Sequence, residues 1–146
     1  MIVTHNNMTE WTALANFLQH YAFVPPSGDL KMIGWVVDDE LKGVVGFNGF
    51  LGKVCQMHVA MAPDFRFSPK AMLKACFKFA FLERKCELVL GFVNSLNEAA
   101  MRYDEHLGFK ELYRIPKLHD EGGDIVVFGL RKNDCKYLTM VEELAA

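Results

Sequence analysis

The sequence has no excess of positive charge. Sixteen Lys and Arg stand against eighteen Asp and Glu, for a net charge of −2. A chain built to grip nucleic acid would show a basic face, so a nucleic-acid partner is not expected. No two cysteines stand two residues apart. The four, Cys55, Cys76, Cys86 and Cys135, are scattered, and none joins a histidine in a zinc-type arrangement. No metal site is expected; buried free thiols of a reducing, cytoplasmic compartment are the plain reading. The N-terminal Met1-Ile2-Val3-Thr4-His5 lacks the basic segment and apolar stretch of a secretory signal. No apolar run approaches the roughly 20 residues of a membrane span, so no membrane partner is expected. Neither a Cys–His nor a Ser–His–Asp pattern is visible, which argues against an enzyme nucleophile.

What is present is an ordinary globular composition. The 146 residues are 51% hydrophobic and 23% charged, which fits one domain over 1–146 with a substantial core. Twelve Phe and eight Met imply either a thick core or a sticky surface. Residues 1–4 read as a short strand. Residues 8–22 read as a helix, with Met8, Trp11, Leu14, Ala15, Leu18 and Tyr21 near helical spacing and Thr9 as its cap. Val24-Pro25-Pro26-Ser27-Gly28-Asp29 stops that helix. Met32–Val37 and Gly43–Phe47 flank Asp38-Asp39-Glu40 as a hairpin, and 53–61 is a third strand. Helices are expected over 68–85 and 94–107, the second closed by Gly108. The apolar run 87–93 reads as a strand covered on both faces. Strands over 109–115 and 124–130 and a terminal helix over 135–145 complete the order. Such an order means a mixed α/β (α+β) layer structure with helices on both faces of the sheet.

The stretch from Val59 to Phe109 carries the chemistry. A strand ends at Met61, and the loop Ala62-Pro63-Asp64-Phe65-Arg66-Phe67 leads into a helix opened by Ser68-Pro69. Ser68 is a good cap, and Pro69 suits the first helical position, where a missing N–H matters least. A strand–loop–helix unit aims backbone N–H groups and a positive helix end at one spot, which favours a phosphate. After the next strand, Ser95 and Glu98 have the spacing of a capping box.

Pro63-Asp64-Phe65-Arg66, Ala71-Met72-Leu73, then Asn97-x-x-Ala100 and Glu105-x-Leu107-Gly108-Phe109 together resemble the GNAT superfamily of N-acetyltransferases. By motif the resemblance covers about 55 residues, and by element order nearly the whole chain. It implies an acyl-CoA N-acyltransferase-like fold: a central, mostly antiparallel sheet of six to seven strands, splayed between the fourth and fifth. Acetyl-CoA would lie in the gap as cosubstrate. Backbone groups of Val59, Ala60 and Met61 would bond its pantetheine arm. Arg66, Phe67, Ser68, Pro69, Lys70 and Ala71 would hold its diphosphate, and Asn97 either contacts the cosubstrate or caps its helix. A small-molecule or protein amine would attack the thioester directly in a ternary complex. The short, Phe- and Met-rich chain also resembles acetyltransferase-like proteins of tailed bacteriophages.

Two positions depart from the pattern. Pro69 stands where the family usually has Gly, and removes one donor from the diphosphate cradle. Asp104 stands where the family often has the Tyr that protonates the leaving thiolate; ionised at neutral pH, it is expected to be a poor acid. Tyr103, one residue earlier and about 100° away around the helix, is the catalytic candidate instead, against a packed helix Tyr. These departures keep open a catalytically silent binding or assembly protein. His58 is the candidate base, weighed against a hydrogen-bonded structural histidine. In the helix 69–85, Lys70, Lys74 and Lys78 form one stripe, with Met72, Ala75, Cys76 and Phe79 opposite as the expected core face. Phe77 and Phe81 fall on the Lys side. Either other segments cover them, with Lys stems over the rings, or they form a homodimer contact.

Overall fold

The structure is a computed structural model that describes residues 1–65 and 69–138. Seven strands form one sheet in the order β1-β2-β3-β4-β5-β7-β6. They are β1 (Ile2–Val3), β2 (Lys31–Val37), β3 (Glu40–Leu51), β4 (Val54–Met61), β5 (Leu88–Asn94), β6 (Lys110–Ile115) and β7 (Ile125–Arg131). Every neighbouring pair is antiparallel except β4 and β5. The helices that join them are α1 (Met8–Ala22), α2 (Lys70–Phe77) and α3 (Glu98–Leu107). No helix among the described residues is long and apolar enough to cross a membrane.

Local chemistry fixes the element ends. Asn7, not Thr9, caps α1: its Oδ1 accepts from the N–H of Glu10 at 2.9 Å, and the Glu10 carboxylate accepts from Asn7 Nδ2 and the N–H of Asn6. Asp38 and Asp39 both adopt left-handed backbone angles, the two-residue hairpin turn that matches strand twist. Asn97, not Ser95, caps α3, with Oδ1 accepting from the N–H of Ala100 at 3.1 Å. The helix therefore starts four residues later than residue 94, which belongs to β5. Gly108 closes it at φ 103°.

The two sheet faces are covered unequally. On one face α1 lays Leu14, Ala15 and Leu18 over Met32, Val44 and Ala60. On the other, α2, α3 and residues 135–138 cover Phe47, Cys55, Met57, Val89, Val126 and Phe128. The α1 face over β5, β7 and β6 has no helix among the described residues. Phe92, Val127 and Tyr113 stand side by side there, with Phe92 49% and Tyr113 66% exposed. The expectation of a β5 covered on both faces is thus corrected.

Beyond Phe77, α2 continues as a π-helical segment, Lys78–Glu83. Its buried residues, Met72, Leu73, Cys76, Phe77, Ala80 and Phe81, repeat every four positions. In a helix of 3.6 residues per turn such a stripe precesses by about 40° per repeat. Widening the turn to i→i+5 bonding, as in Phe79 O accepting from the N–H of Arg84 at 2.8 Å, keeps it on the sheet. Phe77 and Phe81 are fully buried, and Phe77 stacks on Tyr137 at a centroid distance of 5.6 Å. The expected homodimer contact through Phe77 and Phe81 is overturned: other segments cover both rings. The phenylalanines build a thick core, and all four cysteines are buried and free. Of the expected terminal helix over 135–145, only residues 135–138 fall within the described region, and 136–138 are helical.

Candidate functional site

The sheet opens between β4 and β5. Their parallel ladder pairs only Val54, Cys55 and Gln56 with Leu88, Val89 and Leu90, although β4 runs on to Met61 and β5 to Asn94. Beyond Gln56 and Leu90 the two strands part.

Backbone direction along β4 follows from its constant register with β3. The N–H of Ala62 donates to Lys42 O at 2.9 Å, so alternate residues, Ala60 and His58, also turn their backbone groups toward β3. The N–H and C=O of Val59 and Met61 therefore face the gap. Ala60 does not face it: its backbone pairs with Val44, and its side chain is buried beneath α1.

At the mouth of the gap the chain turns at Ala62-Pro63-Asp64-Phe65. Asp64 anchors this turn to β3 through an ion pair with Lys42 at 2.8 Å, and Glu40 holds the same ammonium at 2.9 Å. The two carboxylates raise the Lys42 pKa, and Lys42 in turn lowers that of Asp64. Arg66, Phe67 and Ser68 lie outside the described residues, and so does the expected Ser68 cap. Pro69 occupies the N-cap position of α2, one residue earlier than expected, and its carbonyl accepts from the N–H of Leu73. Among the described residues no side chain caps the helix. The first-turn N–H groups of Lys70, Ala71 and Met72 thus have no partner within the helix, and Lys70 and Ala71 are exposed.

His58 sits two residues past the last β4–β5 pair, on the sheet face that carries α1. Its Nε2 lies 2.7 Å from Asn48 Oδ1, and burial lowers its pKa. The contact to Asn48 assigns the ring proton to Nε2, which leaves Nδ1 as the acceptor of the neutral ring. On the opposite face, α3 places Asp104 against β5. Asp104 Oδ2 lies 3.3 Å from where a Cβ on Gly91 would stand. Gly91 is the first residue past the ladder. Burial raises the Asp104 pKa to about 6, so the group is still mostly ionised at neutral pH but keeps a protonated fraction that an ordinary carboxyl would not. Tyr103 is half-buried and packs against the larger core. The side-chain oxygen of Asn97 is committed to its cap.

The loop 116–124 closes the far end of β5. The N–H of Asp124 donates to Ser95 Oγ at 2.8 Å, the Ser95 N–H donates to Asp124 O, and His119 Nδ1 lies 3.2 Å from Asn94 Nδ2. Ser95, expected as a helix cap, ties this loop down instead. Two cavities of about 630 and 420 Å³ lie elsewhere, near His5 and Lys31, and neither touches the gap. No group of metal-ligating side chains occurs among the described residues. The Asp104 contact escaped sequence reasoning because it depends on how α3 crosses β5. A glycine in an apolar strand run, three residues before Asn94, was its one visible sign.

No protein-family model and no curated protein matches the sequence. Solved structures do match in fold. A variant of the spermidine N-acetyltransferase from Vibrio cholerae superposes at a TM-score of 0.73 with 12% identity, covering 97% of each chain. An acetyltransferase of the GNAT family from Desulfovibrio desulfuricans gives 0.72 at 13% identity, over 90% of this chain and 98% of that one. The ribosomal-protein-S18-alanine N-acetyltransferase from Escherichia coli gives 0.68 at 16% identity, over 90% and 94%. The chain has the acyl-CoA N-acyltransferase-like fold: a seven-stranded, mostly antiparallel sheet with one parallel pair and flanking helices.

Proposed function

We propose that this protein is an acetyl-CoA-dependent N-acetyltransferase in which an amine attacks the thioester directly. The parting of β4 from β5 after Gln56 and Leu90 carries this reading. It leaves a slot walled by outward-facing backbone groups on one side and by Gly91, which has no side chain, on the other. The gap-facing backbone groups of Val59 would pair with an amide of the pantetheine arm as a missing strand would. The first turn of α2, at Lys70 and Ala71, would take the diphosphate, together with Arg66, Phe67 and Ser68. Pro69 removes one of the four N-terminal donors and leaves those of Lys70, Ala71 and Met72 for the cradle. His58, neutral at pH 7, would accept the proton that the attacking amine releases. Acetyltransferases of this fold are named for spermidine and for a ribosomal-protein alanine, so the acceptor belongs to either the small-molecule or the protein amines.

Calorimetric titration with acetyl-CoA tests the cosubstrate, and release of free thiol with a panel of amines tests turnover. Saturating cosubstrate at about 100 times Kd should add about 2.7 kcal/mol to stability, read as a rise in Tm. Binding without turnover on any amine would point to the silent binding module. No binding at all would defeat the proposal.

A further inference from the structure

Resting on that reading, we infer that the carboxyl group of Asp104 is the acid that protonates the departing thiolate. The argument is positional. The β4–β5 ladder ends at Gln56 and Leu90. His58 stands just past that end on the face that carries α1, the side where Gly46 approaches Leu18. Asp104 stands just past it on the opposite face, its Oδ2 closing on Gly91. The two titratable side chains thus flank one opening from opposite sides of the sheet.

No hydrogen bond or ion pair holds the Asp104 carboxylate among the described residues. Burial alone shifts its pKa, to about 6. The residue facing it from β5 is a glycine, and Arg102 on its own helix is drawn to Glu98 at 3.8 Å. Tyr103 and Met101 pack against the core beside it. A half-buried carboxylate without a partner costs stability, and that cost persists most readily where the group serves a reaction.

The step balances. The amine nitrogen forms a bond to the thioester carbonyl carbon, and the carbon–sulfur bond breaks with its electron pair on sulfur. Sulfur takes the proton from the Asp104 carboxyl, while His58 takes the proton leaving the nitrogen. The products are an amide and the free thiol, and solvent resets both residues.

The test uses the full chain, free coenzyme A and the substitution Asp104→Asn, which keeps the side-chain shape. Coenzyme A binding at pH 7, titrated in buffers of different ionisation enthalpy, should take up a fraction of a proton in the wild type and none in D104N. With any amine that turns over, D104N should lower kcat by 10²-fold or more, leave KM for acetyl-CoA within about twofold, and remove the basic limb of the kcat profile. A melting scan checks that D104N folds; it should melt higher than wild type at pH 8 and level with it at pH 4. Equal proton uptake by the two proteins would overturn the role of Asp104 and leave the acetyltransferase reading standing. Failure of both to bind coenzyme A would overturn both.

Discussion

At the scale of single residues, His58 is the group whose environment matches its proposed task most closely. A histidine that must take a proton from an amine has to be neutral beforehand, and burial lowers its pKa below the ordinary 6.5. Asn48 fixes the proton on Nε2, so Nδ1 presents the lone pair. His58→Ala should lower kcat/KM by about 10²-fold to 10⁴-fold and abolish the acid limb of its pH profile, measured by thiol release from pH 5 to 9. Asn48→Leu keeps the imidazole but frees its tautomer, and should lower kcat by roughly tenfold with KM for acetyl-CoA unchanged. If H58A retains the wild-type acid limb, some other group carries the proton. The sequence showed the residue types here but not their relation. Strand alternation placed His58 on the face of Ala60, away from Met57 and Val59, as found. It gave no sign of Asn48 at 2.7 Å, because that contact crosses from β3.

At the scale of elements, close approach between helix and sheet decides stability. Helix α1 lies so near β3 that a Cβ on Gly46 would stand 2.5 Å from Leu18 Cδ2, and Leu18 is fully buried. Gly46→Ala should therefore destabilise by about 1–3 kcal/mol through overpacking, read as a lower urea midpoint at unchanged slope. Phe77→Ala should cost about 3–5 kcal/mol, since its ring is enclosed by Phe81, Phe109 and Tyr137. A cost below about 1 kcal/mol would restore the exposed contact face. That face was misread for a definite reason. Centring the core on Met72, Ala75, Cys76 and Phe79 puts Phe77 and Phe81 on the Lys side of the wheel, whereas the buried face of α2 is Met72, Leu73, Cys76 and Phe77, and the π-helical turn after Phe77 keeps Ala80 and Phe81 on it. The hairpin at Asp38–Asp39 and the Gly108 stop were legible because each is written in local chemistry. The caps were legible in kind but displaced: Asn97 outcompetes Ser95, whose hydroxyl is taken by the distant N–H of Asp124. The open face of β5 was illegible, because an apolar run looks alike whether one layer or two cover it. The parting of β4 from β5 has no local signal at all; only the resemblance of distant motifs implied it.

At the scale of the whole molecule, the same buried groups that suit the proposed reaction pull stability in opposite directions with pH. His5 and His58 have folded pKa values lowered by burial, so the folded state disfavours their charged forms. Their contribution is present above the ordinary histidine pKa of about 6.5 and is lost as pH falls through the folded values. Asp104 runs the other way. Its folded pKa is raised from 3.8 to about 6, so its contribution is complete below about 4 and is lost as pH rises through 6. One pKa unit is about 1.4 kcal/mol, so ionising Asp104 withdraws on the order of 2–3 kcal/mol between pH 4 and pH 7. The exposed ion pair of Lys42 and Asp64 adds little to this balance, because solvent screens it. Between pH 4 and about 6.5 the two trends oppose each other, and above pH 7 both are nearly complete, so thermal melts should level off there. In Asp104→Asn, stability should rise with pH from 4 to 7 more steeply than in the wild type, because the histidine trend is then unopposed. Parallel wild-type and D104N profiles over that range would mean that Asp104 is solvated in the folded chain, and the placement of its carboxylate against Gly91 would fall with it.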